Sequence, residues 1–183
     1  MKFASIKHRK RENGFSILEM MLATVILLVG LVAIAQLVPA SILLNYRNRT
    51  DSSALVFAQR ELDQMIDQPL SVNSFTDTLG NTCQLGNPAV VNSVQGSAVT
   101  TSINNQSLIV FSSPNPPPAP TNGYGFTFQD LTDPNGIVYD VRWAVIITGN
   151  GTTASSKRFI LGIRQAGGNG YFQPITLDTV VGK

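Results

Sequence analysis

From Met20 to Val38 the chain carries no charged residue, and only Thr24 and Gln36 are clearly polar. A run of about 20 apolar residues matches the hydrocarbon thickness of a bilayer when coiled as a helix. The run therefore constrains the chain more than any other feature, because it predicts a single membrane-spanning helix. Lys2, Lys7, Arg9, Lys10 and Arg11 precede it. Positive charge is retained on the cytoplasmic side, so the C-terminal part is expected across the membrane. The 13% share of charged residues is about half the usual value. Part of that deficit lies in this run. What remains of the 183 residues is long enough for one modest globular core.

The formal net charge of +2 belongs to the N-terminal tail. Setting aside the five basic residues and Glu12 ahead of Gly14 leaves eight basic and ten acidic side chains, a net charge of −2. A nucleic-acid surface on the body is not expected. Cys83 is the one cysteine, which precludes an intramolecular disulfide and reads as a semi-buried small residue.

A secretory signal peptide would have a shorter apolar stretch closed by a small-residue cleavage site, and no such site closes this run. A lipoprotein signal would need a cysteine near its end, and none is there. An uncleaved anchor accounts for the basic tail and the run, but leaves one residue unexplained. Glu19 stands at the start of the apolar segment, where an ionised carboxylate costs about 2.5–3.5 kcal/mol at the helix centre and less near an interface.

The stretch "GFSILE", Gly14 to Glu19, resembles the class III signal of type IV prepilins and pseudopilins, usually written G-F-[ST]-L-[IVL]-E. Gly14, Phe15, Ser16 and Glu19 match, Leu18 falls within the allowed set, and Ile17 is a conservative replacement. The resemblance covers roughly the first third of the chain. It implies that prepilin peptidase cuts between Gly14 and Phe15 on the cytoplasmic face and methylates the new N-terminus at Phe15. The leader, residues 1–14, would be removed while the membrane helix survives. Gly14 suits a cut site, since a residue without Cβ lets backbone approach an active site closely. The cut also creates a partner for Glu19, because the α-amine of Phe15 is largely cationic at neutral pH. Within one helix the two lie four residues apart. The resemblance implies instead that the carboxylate meets the amine of a neighbouring subunit and sets its stagger in a fibre. Snorkelling of Glu19 to the headgroups is the plainer alternative.

Beyond Val38 the pattern becomes one-sided. Leu55, Ala58, Leu62 and Met65 with Ile66 recur at helical spacing, with Arg60, Glu61 and Asp63 on the wetter side. Pro69 ends the run. The expected helix spans 15–68, roughly 80 Å at 1.5 Å per residue, with its transmembrane half at about 18–38. Pro39 would kink it or break it into two, and Gly30 would allow close helix approach.

Residues 69–183 read as a β-rich extracytoplasmic domain. Residues 71–106 look irregular, with weak strand signals at Ala89–Val91 and Ala98–Ser102, and "SLIVFSS" at 107–113 is a strand. The proline-rich 114–120 is loop, partly polyproline II. Then Tyr124, Phe126 and Phe128 alternate, followed by Ile137, Tyr139, Val141, Trp143, Val145 and Ile147, and by Phe159, Leu161 and Ile163. Turn sequences separate these runs, which predicts an antiparallel meander. The predicted class is α+β, a long helix laid on a sheet, which is also the ladle shape of the pilins that the signal resembles.

Enzymatic chemistry is not expected. His8, the one histidine, lies in the leader, which removes histidine-dependent triads and zinc sites from the body. Asp130, Asp133 and Asn135 could offer oxygens to calcium, although turn chemistry alone explains Asp-Pro-Asn-Gly. Arg142, Lys157, Arg158 and Arg164 could form a small basic patch on the exposed sheet face. The resemblance implies a structural subunit with no cofactor. A minor pilin is preferred, because one cysteine cannot form the C-terminal disulfide frequent in major pilins and the tail is similar to minor pilins of the pilus-modification type. A type II secretion pseudopilin, a major pilin and a single-span binding protein follow in that order. The implied partners are prepilin peptidase, other pilin subunits, the assembly platform and the inner membrane.

Overall fold

The computed structural model describes residues 14–102, 104–111, 123–131, 136–150, 153–166 and 174–182. It divides into two compact units, Met1–Arg47 and Asn48–Lys183. One helix, α1 (Ile17–Ile66), supplies the described structure of the first unit and the opening element of the second. Pro39 sits inside α1 without ending it, so the two-helix alternative is not what the chain adopts.

Up to Leu44 every described residue of α1 is exposed. The helix is long and apolar enough to cross a membrane. Its two hydroxyls in this stretch turn inward, Thr24 Oγ1 donating to the Met21 carbonyl at 2.8 Å and Ser41 Oγ to that of Leu37 at 2.9 Å. Both donors are thereby satisfied without water, as hydrocarbon requires.

In the second unit α1 turns amphipathic. Thr50, Ala54, Phe57, Ala58, Glu61, Leu62 and Met65 are buried, a stripe at three- and four-residue spacing. Ala58, Leu62 and Met65 lie where the sequence pattern puts them. Glu61 does not. It was expected on the wet side, yet it is fully buried, four residues from both Phe57 and Met65 along the same stripe.

The sheet that receives this stripe is antiparallel throughout. β1 (Ser74–Thr76) and β2 (Thr82–Gln84) form one small hairpin, and β4 (Val99–Thr101) and β5 (Ser107–Ile109) another. The main sheet joins β3 (Val94–Gly96), β6 (Gly125–Gln129), β7 (Val138–Asn150), β8 (Thr153–Gln165) and β9 (Ile175–Gly182). β6 to β9 make the expected meander, and β3 pairs with the far half of the β7 edge that β6 occupies. β7 and β8 stay in register from Tyr139↔Gln165 to Thr148↔Ser156, then shift by one residue beside Gly149.

One face of the sheet packs on α1. Tyr139, Val141, Trp143, Val145 and Ile147 of β7 alternate onto it and are buried, as are Phe159, Leu161 and Ile163 of β8. The Tyr139 hydroxyl donates to the Thr50 carbonyl at 3.2 Å. Phe57 stacks on Phe128 at 3.9 Å between centroids and meets Phe126 edge-on. The 69–90 segment is pinned to the same face by two donors. Trp143 Nε1 reaches the Gln84 carbonyl at 2.8 Å, and Lys157 Nζ reaches that of Val72 at 2.6 Å. Burial pulls the Lys157 ammonium down to about 8.

The opposite face is partly covered too, which the sequence pattern does not announce. Ala144 and Ile160 form a small core with Ile109 and Phe111, carried there by β5 and the residues after it. Gly162 makes this packing possible. A Cβ at 162 would stand 2.7 Å from Ile109 Cβ and 2.8 Å from a Phe111 ring carbon. We expect Gly162→Ala to destabilise the domain by about 1–3 kcal/mol, the range for overpacking. Thermal unfolding of the detergent-solubilised chain measures this, and an unchanged midpoint would refute the close-packed role of Gly162.

Candidate functional site

Gly14, Phe15 and Ser16 precede α1 in non-helical backbone. The Ser16 carbonyl accepts from Glu19 N at 3.0 Å and Met20 N at 3.1 Å, so Ser16 is the N-cap and Glu19 the third helical residue. Ser-x-x-Glu is also capping-box spacing, a signal not used in reading the motif. Glu19 lies in the first turn, where the N–H ends of the helix favour a carboxylate. Phe15 lies just outside α1, two residues before its first residue, Ile17. Among the described residues the Glu19 carboxylate has no hydrogen-bond or ion-pair partner.

Phe15 is 76% exposed, and Ile17 and Leu18 are as open. Among the described residues nothing lies within 4 Å of the position a Cβ would take at Gly14, and the same holds at Gly30. The fold of this chain thus gives no reason for glycine at either place. If glycine is required there, the requirement comes from a second molecule.

Among the described residues no group of three or more histidine, cysteine or carboxylate side chains is placed to hold a metal. Asp133 and Asn135 lie outside the described residues, as do the proline-rich 114–120 and the glycine turns at 151 and 167–170. The basic patch does not form. β8 alternation sends Lys157 to the helix-facing side with Phe159, whereas Arg142, Arg158 and Arg164 share the other face with carboxylates. Arg142 Nε donates to Asp140 at 2.9 Å, Arg164 lies 3.7 Å from Asp140, and Arg158 Nε donates to Asp178 at 2.9 Å. Three arginines against two aspartates leave little field for a polyanion.

A buried polar cluster joins the end of α1 to the β1–β2 turn. Glu61 Oε1 accepts from Arg60 and Gln64, Gln64 Oε1 accepts from Thr78 N, and Asp77 accepts from Leu79 N and Asn81 N. Burial raises the Glu61 carboxyl above its usual range, the Arg60 hydrogen bond opposes this, and the Asp77 charge adds to the rise. Cys83, fully buried beside them, is pushed up to about 12 by burial, then by the charges of Asp77 and Glu61. A thiol so shifted is inert, in keeping with the structural reading of Cys83.

Residues 9–35 match the family model described as the prokaryotic N-terminal methylation motif. No curated protein and no solved structure matches the chain. The match begins within the basic tail and ends in the apolar helix, so it contains Gly14, Phe15 and Glu19. The N-terminus therefore carries the class III signal, consistent with the type IV pilin family, and supports a pilin-like or pseudopilin-like protein.

Proposed function

We propose that the chain is a minor type IV pilin, a structural subunit cut by prepilin peptidase after Gly14, methylated at Phe15 and built into or priming a pilus fibre. The observation that carries this reading is the methylation motif leading into an apolar helix that is exposed up to Leu44. A bilayer covers that surface before assembly, and neighbouring helices cover it in a fibre. Cleavage removes the basic tail and leaves the Phe15 amine at the helix start, near the one carboxylate of the apolar segment. The α+β body supplies the extracytoplasmic part, and its salt-bridged arginines and inert thiol fit a surface rather than a reaction centre. Prepilin peptidase, other pilin subunits, the assembly platform and the inner membrane are the partners of this reading. The protein then passes from the inner membrane to a surface pilus.

A pseudopilin of a type II secretion system shares the motif and differs in where the fibre ends. Mass spectrometry of the protein from processing-competent cells tests the common premise. The expected product begins at N-methyl-Phe15, and an intact leader would refute it. Recovery in sheared surface fibres, against loss of secretion in a deletion strain, then separates pilus from secretion system.

A further inference from the structure

Strand alternation fixes which backbone groups of the main sheet are left unpaired. Ala166 N donates to the Val138 carbonyl, so even-numbered residues of β7 turn their backbone groups toward β8. Trp143 N donates to Tyr124 and its carbonyl accepts from Ser97 N, so odd-numbered ones turn toward β6 and β3. Carried through the unshifted β8–β9 register, the rule points the N–H and C=O of Thr176, Asp178, Val180 and Gly182 out of the sheet. On the far side, Phe126 and Phe128 pair with Val141 and Tyr139, leaving the groups of Gly125, Thr127 and Gln129 outward. An open groove of about 570 Å³ lies beside this second edge, lined by Gly80–Gln84 residues, Gly123, Gly125 and Phe126.

β9 lacks the usual protection of an edge. It contains no proline, lysine or bulge, and Val180 is 62% exposed. Its Ile175, Leu177 and Val181 are only half-buried on the helix-facing side, as are Phe126 and Phe128 at the other edge.

We propose that β9 of one copy pairs antiparallel with the β6 edge of a second copy, extending the sheet head to tail. Several independent features agree on this partner. The two edges are the first and last of four alternating strands, β6-β7-β8-β9, so copies related by translation meet antiparallel, like every pair already in the sheet. Setting Asp178 opposite Thr127 puts Val180 opposite Gly125 and Thr176 opposite Gln129, so the outward backbone groups of these three β9 residues meet those of β6, and the contact stops short of Gly123, whose carbonyl already accepts from Gln84 N. The same register sets Leu177 beside Phe128 and Thr179 beside Phe126 of the neighbour, all on the helix-facing side. β6 carries no charge, so Asp178 meets no like charge, whereas a two-fold β9–β9 pairing centred on the strand would oppose Asp178 to itself. A heterologous contact of this kind propagates into a filament rather than closing. The arrangement of copies rests on the fibre-subunit reading above.

The test is disulfide trapping of the full chain in membranes of a processing-competent host. Thr127→Cys and Asp178→Cys are made separately, both at exposed positions, with distinguishable tags. Directly opposed residues in a hydrogen-bonded pair have Cα atoms about 5.5 Å apart, within disulfide reach. A disulfide-linked dimer is expected when the two variants are co-expressed, and not from either alone. Adding Val180→Lys on the Asp178→Cys chain should lower its yield at least about fivefold, since a lysine blunts an edge by roughly 1 kcal/mol. A dimer from Asp178→Cys alone would overturn the head-to-tail contact in favour of a two-fold one. Absence of the mixed dimer, with both variants shown folded by an unchanged thermal midpoint, would overturn edge pairing altogether. The mass of the same samples reports the N-terminus. A missing cross-link on protein cut after Gly14 defeats the edge contact alone, and an intact leader defeats the pilin reading alone.

Discussion

Glu19→Ala should insert and be cut normally, yet its incorporation into fibres should fall at least about tenfold, the equivalent of ~1.4 kcal/mol per subunit. Three roles compete for this carboxylate. As a headgroup-seeking charge it would be dispensable, and removing it would ease insertion. As the third residue of a capping box it would stabilise the helix start, where such effects are about 0.3–1 kcal/mol. As the partner of a neighbour's Phe15 amine it would act only in assembly. The carboxylate is exposed and has no partner among the described residues of its own chain, which leaves it available for the last role. Glu19→Gln separates the remaining two roles. Glutamine fills the third position of a capping box as well as glutamate does, but cannot pair with an ammonium. We expect Glu19→Gln to assemble as poorly as Glu19→Ala. The readout is subunit in sheared fibres relative to membrane-bound, processed subunit. Normal assembly of the glutamine variant would assign Glu19 to helix capping, and normal assembly of both would end the pairing argument.

Most of this organisation is legible in the sequence where one period governs many residues. The uncharged run from Met20 and the alternation from Tyr139 to Ile147 each repeat a signal often enough to override local noise, and both elements are present. The short strands are another matter. β1 and β2 have three residues each in a Ser-, Thr- and Asn-rich stretch, and neither carries an alternating pattern long enough to detect. Ala89–Val91 has apolar residues but forms turn rather than strand, while β3 forms just beyond it by pairing with β7. Such pairing is a long-range choice made by the edge of β7, not by the residues of β3.

The misplaced side chains share a cause. Glu61 looked solvent-facing because charge usually is, yet its spacing from Phe57 and Met65 already put it on the buried stripe. Lys157 was grouped with Arg158 by proximity in sequence, although neighbours on a strand point to opposite faces. The second small core was invisible for a different reason. Ala144, Ile160 and Gly162 look like spacers on the polar face until Ile109 and Phe111 arrive from elsewhere in the chain. At the N-terminus the signal motif exposed Gly14, Phe15 and Glu19 directly. Neither Gly14 nor Gly30 is demanded by packing against the described residues of the chain.

Trp143→Ala should cost the body about 3–5 kcal/mol, the range for removing a fully buried large aromatic, and lower its unfolding midpoint by roughly 10–20 °C. The indole is where three parts of the domain meet. It is completely buried in β7, directly opposite Leu161 of β8. Its ring meets Phe126 of β6 edge-on at 5.9 Å, and through Phe126 it is linked to Phe57 of α1. Its Nε1 holds the Gln84 carbonyl of β2, which ties the β1–β2 hairpin to the sheet. Alanine would leave a cavity among all three, and that carbonyl would lose its donor. Trp143→Phe keeps a six-membered ring but removes the donor together with the five-membered ring, so it should cost less than alanine, with about 1–3 kcal/mol of that cost from the unpaired buried acceptor. Both variants abolish the chain's one tryptophan, so unfolding is followed by circular dichroism of the detergent-solubilised protein rather than by fluorescence. The residues of α1 up to Leu44 are exposed, so the body should melt early while the membrane helix keeps its signal. A midpoint for Trp143→Ala within about 2 °C of the parent would mean that the helix, sheet and hairpin do not share a single cooperative core.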